Sequence, residues 1–254
     1  MASLLFERIA HFHGNRPWGE VLDAGSGEHS IKWLASLPTQ RLCAVTGDAT
    51  MARNIKAALG NALRPQDSVV MGNWQTPSLL AGEQFDTVLA DYLLGAIEGF
   101  APYWQDQLFS RLRLHILTRG RLYVTGLEPY VPFSAHTEAG QLVVEMGRFR
   151  DACLLLAGER PYREYPMEWA CRSLRQAGFR IVATEHWPIR YAQPWLEGQL
   201  RMCRQRLLTL ADRQLATAMQ ATLGQLEQRL RQFLHRHGSL AHGADYVIAA
   251  EPLP

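Results

Sequence analysis

Lysine is almost missing from this chain. Only Lys32 and Lys56 interrupt a basic complement that is otherwise arginine. Lys plus Arg number 26 against 24 Asp plus Glu, a net charge of +2 over 254 residues. No large field of one sign therefore points to a nucleic-acid partner. Cysteine is scarce too. Cys43, Cys153, Cys171 and Cys203 are scattered, with no C-x-x-C pair. That excludes a disulfide framework and fits reduced, partly buried thiols in a cytoplasmic protein. No apolar run approaches the roughly 20 residues of a membrane helix, so no membrane partner is expected. The first ten residues carry Glu7 and no leading basic region, a poor secretion signal. Repeats, low-complexity tracts and charge runs are also absent. What remains is an ordinary globular composition, long enough for one α/β domain with additions.

Against that plain background one stretch stands out: Glu20-Val21-Leu22-Asp23-Ala24-Gly25-Ser26-Gly27-Glu28-His29. Val21, Leu22 and Ala24 suit a short buried strand. Gly25 and Gly27 allow a sharp turn and a close approach to a ligand. Ile31, Trp33, Leu34 and Leu37 then recur at helical spacing, with Ser30 as a candidate cap. A dinucleotide fingerprint needs a third glycine, and Ser30 stands in its place. Asp23 sits two residues before the first glycine, giving D-x-G-x-G. A second strand reading, Arg41 to Asp48, ends in an acid 23 residues past Gly25. That spacing lets a carboxylate accept hydrogen bonds from ribose hydroxyls. A helix is expected over 50–59.

D-x-G-x-G followed by that acid resembles class I S-adenosylmethionine-dependent methyltransferases, over residues 18–128 and again near the C-terminus. The resemblance implies an α/β fold: a seven-stranded, mostly parallel sheet with an antiparallel edge hairpin, helices on both faces and helical insertions. It implies S-adenosyl-L-methionine as cofactor. Asp23, Gly25, Ser26, Gly27 and His29 then surround the methionine part, and Asp48 with Ala49 the ribose. A polar residue after the third strand (Ser68–Met71) meets the adenine amino group, and an apolar neighbour covers the ring. Asn73 and Trp74 take those roles, although Asp is the commoner family choice at position 73. The fourth strand, Phe85–Ala90, runs into Asp91 and Tyr92, matching the family segment beside the transferred methyl. The fifth, Gly120–Gly126, follows a helix near 102–115 and leads to Glu128. Asp91, Tyr92 and Glu128 are the catalytic candidates, with Asp91 also near the cofactor.

As a whole, 1–254 reads as one methyltransferase domain. Residues 1–17 form a helical cap over the cofactor cleft, with His11 and His13 facing solvent. A substrate-side insertion spans 130–165, with helical periodicity from Gln141 to Gly158 and a lid segment at Tyr162–Pro166. A helix over 167–177 stops at Gly178, and a sixth strand runs from Arg180 to His186. A second insertion over 194–237 reads as two helices, from Leu196 to Leu210 and from Leu215 to Leu234, stopped by Gly238. It is either a hairpin packed on the core or a surface over the active site or in a homodimer. Tyr246–Ala250 is the last strand. His235, His237 and His242 lack an acid or cysteine at ligand spacing, so no metal site is read. His136 and His186 are further polar candidates.

Methyl transfer from a sulfonium is an in-line displacement that needs position, a dry pocket and a base only when the acceptor carries a proton. Near-neutral charge and the lack of a nucleic-acid-binding appendage favour a small-molecule methyl acceptor. A protein or peptide acceptor, with 194–237 as docking surface, and a non-catalytic cofactor-binding scaffold are the alternatives.

Overall fold

A computed structural model describes residues 4–254. The first helix, α1 (Leu4–His13), puts Leu5, Phe6, Ile9 and His13 on its buried face. After β1 (Glu20–Asp23) come α2 (Glu28–Ala35), β2 (Arg41–Thr46), α3 (Ala49–Leu59), β3 (Ser68–Met71) and β4 (Phe85–Ala90). Then follow α4 (Leu93–Phe100), α5 (Gln105–Arg113), β5 (Ile116–Leu127), α6 (Glu138–Leu156) and α7 (Met167–Gln176). The chain closes with β6 (Phe179–Tyr191), α8 (Gln193–Thr209), α9 (Arg213–His237) and β7 (Leu240–Pro252).

The seven strands lie in the order β3-β2-β1-β4-β5-β7-β6. β1 through β5 are parallel, whereas the β5–β7 and β7–β6 pairs are antiparallel. Parallel strands covered by crossover helices must be apolar on both faces. Accordingly Val21, Leu22, Val45, Val88, Leu122 and Val124 are all buried. From β1 the chain steps outward to β2 and β3, then returns to lay β4 on the other side of β1. That reversal opens a crevice at the C-terminal ends of β1 and β4, where ligands of such sheets bind.

The chain divides into two compact units. One comprises residues up to Leu127, Arg163–His186 and Tyr246–Pro254, and the other Glu128–Tyr162 and Trp187–Asp245. In the second unit α6, α8 and α9 bury their apolar stripes: Val143 and Met146, Leu200 and Cys203, Leu226 and Leu230. The helices read at 194–237 thus spend their apolar faces inside that unit, leaving Leu208 and Leu215 exposed. β6 and β7 are longer than the sequence predicts, and each has residues in both units. No helix among the described residues is long and apolar enough to cross a membrane.

His13 corrects an expectation. It is 3% exposed. Its ring stacks on Trp18 at 3.6 Å, and Nδ1 lies 2.9 Å from Tyr123 Oη. Burial holds its pKa below the ordinary histidine value. Phe6 stacks on Trp33 of α2 at 4.5 Å, and Arg8 pairs with Glu185 of β6. The aromatic contacts of α1 therefore fasten it to α2 and β5.

Candidate functional site

The site begins at the exit of β1. Ala24 N–H donates to Leu89 O and Ser26 N–H to Val45 O, so the turn is tied to both neighbouring strands. Ser30 Oγ accepts Gly27 N–H at 3.1 Å and donates to Asp23 Oδ2 at 2.8 Å. The serine that replaces a third glycine thus locks the turn to the strand end. Asp23 is 0% exposed, and its Oδ1 has no hydrogen-bond partner among the described residues. Burial, with the Asp91 charge adding to it, pushes this carboxyl up to about 7, against the pull of Ser30 and Ser26.

The two glycines do different work. A Cβ on Gly25 would come within 2.8 Å of Leu93 Cδ1, so Gly25 is there to let α4 pack against the turn. A Cβ on Gly27 would meet nothing within 4 Å. Its backbone, at φ −123° and ψ 173°, suits any residue. Gly27 therefore keeps space clear at the N-terminus of α2, where free N–H groups favour an anionic group. Exposed His29 lies on that first turn.

Asp48 stands at the tip of β2, exposed, and caps α3: its Oδ1 accepts Met51 N–H at 2.6 Å. Ala49 opens the helix behind it. Asn73 follows β3, but its amide is engaged by backbone. Nδ2 donates to Phe100 O at 2.7 Å, and Oδ1 accepts Gln75 N–H at 3.0 Å. Trp74 is 3% exposed, and its indole N–H donates to Ala24 O at 2.7 Å. The indole supports the glycine turn from the core and has almost no surface to lay over a ligand ring. The exposed aromatic at this rim is Phe100, 41% accessible. It ends α4 and lies so close to Gly47 that a Cβ there would come within 2.7 Å of Phe100 Cδ1.

At the exit of β4, Tyr92 takes a left-handed conformation, φ 47° and ψ 17°, at the N-cap of α4. For a tyrosine this is strained backbone, held by its surroundings. Thr125 of β5 does the holding: its hydroxyl accepts Tyr92 N–H at 3.0 Å and donates to Asp91 Oδ1 at 2.6 Å. Sequence reasoning missed Thr125 and α4 itself. Asp23, Gly25, Ser26, Gly27, Asp48, Asp91 and Tyr92 all lie at the C-terminal ends of parallel strands of the first unit, the edge where the crevice opens. Glu128 belongs to the second unit, where its N–H donates to Ala244 O. His186 packs edge-on against Tyr246 in the first unit. Of the lid segment, Arg163 N–H donates to Gly95 O, and Tyr165 O accepts from Tyr246 Oη.

No protein-family model matches the chain, and neither does any curated protein sequence. Solved structures do match. A methyltransferase candidate from Bacillus halodurans superposes with a TM-score of 0.64 at 12% identity, over 99% of this chain and 100% of the other. The chain has the class I methyltransferase fold. Phosphoethanolamine N-methyltransferase 2 of Haemonchus contortus, solved with phosphomonomethylethanolamine and S-adenosylhomocysteine, gives 0.55 at 15%, covering 98% of this chain and 52% of that one. The cyclase SpnF gives 0.55 at 13%, covering 98% and 81%. At such identities the likeness is one of fold.

Proposed function

We propose that the chain is an S-adenosylmethionine-dependent methyltransferase acting on a small-molecule acceptor. One observation carries the reading. Asp23 Oδ1 is buried with no hydrogen-bond partner among the described residues, and in the same turn Gly27 has ordinary backbone angles and no described atom within 4 Å of where a Cβ would stand. Ordinary backbone needs no glycine, so close approach of a ligand is the physical reason for one at position 27. The residues fit the cofactor. Asp23 and the N–H groups around Gly27 suit its amino-acid end, and the acid at the tip of β2 suits its ribose. S-adenosylmethionine supplies an electrophilic methyl group on a sulfonium sulfur. The chain's own task is to orient and to exclude water. Asp48 offers carboxylate oxygen to ribose hydroxyls. Phe100 shields the purine end in the place first read for Trp74. Asp91 sets negative charge near the sulfonium, and Tyr92 borders the acceptor.

A near-neutral surface favours a small acceptor over nucleic acid. The likeness to an N-methyltransferase crystallised with a small phosphorylated amine is in keeping with it. The likeness to a cyclase keeps a second reading in play, in which the fold serves chemistry other than methyl transfer. Incubation with methyl-labelled S-adenosylmethionine and a cell extract separated by size tests the proposal. Label is expected in the small-molecule fraction. Label in the protein fraction would carry the protein-acceptor reading, and binding without transfer to any fraction would overturn methyl transfer.

A further inference from the structure

Thr125 lies inside β5 with 0% exposure, in a stretch that otherwise reads as plain strand. The parallel register pairs Ala90 of β4 with Val124 of β5. The next residue on each strand is Asp91 and Thr125, so the two meet where β4 ends. The Thr125 hydroxyl has one proton and gives it to Asp91 Oδ1 at 2.6 Å. Its lone pair takes Tyr92 N–H at 3.0 Å. One side chain thereby ties a carboxylate oxygen to the backbone of a left-handed residue, φ 47°.

Both bonds have consequences. A hydroxyl donating to a carboxylate oxygen favours the ionised form. Asp23, buried without charge partners, lies within electrostatic reach of Asp91, and each ion opposes the other. The bond to Tyr92 N–H holds a left-handed turn that a tyrosine otherwise avoids. We propose that Thr125 is a positioning residue: by joining Asp91 Oδ1 to Tyr92 N–H it fixes where negative charge stands at the end of β4. The inference rests on the methyltransferase reading, since it places that charge to face a sulfonium.

S-adenosylmethionine carries the sulfonium charge and S-adenosylhomocysteine does not, so the ratio of their affinities reports the charge that faces sulfur. Calorimetric titration of both compounds against wild type, Thr125→Val, Thr125→Ser and Asp91→Asn tests the proposal. Thr125→Val should lower the preference for the sulfonium roughly three- to tenfold, the range of an ordinary net hydrogen bond. Asp91→Asn should lower it at least as far, and Thr125→Ser, which keeps the hydroxyl, should restore it. A structural role alone would weaken both ligands alike and leave the ratio unchanged. Should Thr125→Val not fold, Thr125→Cys carries the same comparison with a weak donor of similar volume. An unchanged ratio in a folded Val or Cys variant, or a Ser variant that fails to restore it, overturns the proposal. Wild type binding neither compound would instead overturn the methyltransferase reading, and this inference with it.

Discussion

A methyl group added at Gly27 meets open space, whereas one added at Gly25 meets Leu93. The same small substitution therefore separates folding from binding. Gly27→Ala loses a little capping strength and gains a little from a stiffer unfolded chain, two effects of a few tenths of a kcal/mol each that nearly cancel. Its melting temperature should match wild type while cofactor affinity falls tenfold or more. Gly25→Ala should melt lower, because Leu93 or α4 must shift, at about 1–3 kcal/mol. Asp23 gives the pH test. Its folded value of about 7 lies above the ordinary 3.8, so the folded state holds more protons between about pH 4 and 7. The contribution of Asp23 is thus full below that window and is lost as pH rises through it. Buried His13 and His115 and half-buried His242, all held low, slope the other way near pH 6, so the difference between wild type and Asp23→Asn isolates the acid. Between pH 5 and 8, denaturant unfolding should show wild type losing on the order of 2 kcal/mol more than the variant. These residue roles were only half legible. Asp23, Gly27 and Asp48 share one local pattern. The partners of His13 and Thr125 lie 110 and 34 residues away, beyond any spacing argument.

Among elements, α3 and the β5–β7 pair carry the sharpest consequences. Asp48 caps α3, so Asp48→Ala must cost about 1 kcal/mol of stability besides any loss of ribose contact. Asp48→Ser keeps a capping oxygen without the carboxylate. Both variants should weaken cofactor binding, and only the alanine should lower the melting temperature. On the antiparallel edge, buried Arg121 of β5 bonds to Glu251 of β7, which also takes Arg16 and Arg180. These guanidinium groups outweigh burial and hold the Glu251 carboxyl below its ordinary value. Glu251→Gln leaves Arg121 buried with reduced charge pairing and should cost about 3 kcal/mol in denaturant unfolding. Arg180→Ala, at an exposed partner, should cost less than about 1 kcal/mol. Element order was readable because parallel strands are short apolar runs between turns. α4 was not. Leu93-Leu94-Gly95-Ala96-Ile97-Glu98-Gly99-Phe100 is apolar almost all round and holds two glycines, so no amphipathic stripe marks it. The ends of β6 and β7 were read short because Pro188 and Gly243 break a strand pattern.

Over the whole molecule, sheet order and crevice position follow from the chain reversal between β3 and β4, which local patterns alone imply once every strand is placed. The division into two units was not foreseen, because helix periodicity tells which face is apolar and not what covers it. On this reading the first unit holds S-adenosylmethionine at the ends of β1 and β2. Isothermal titration of S-adenosylhomocysteine into wild type and Gly27→Ala tests it most directly. Wild type should bind at one site and the variant should lose tenfold or more, with both proteins equally stable. Absence of heat with wild type, or equal affinity in the two, would contradict it.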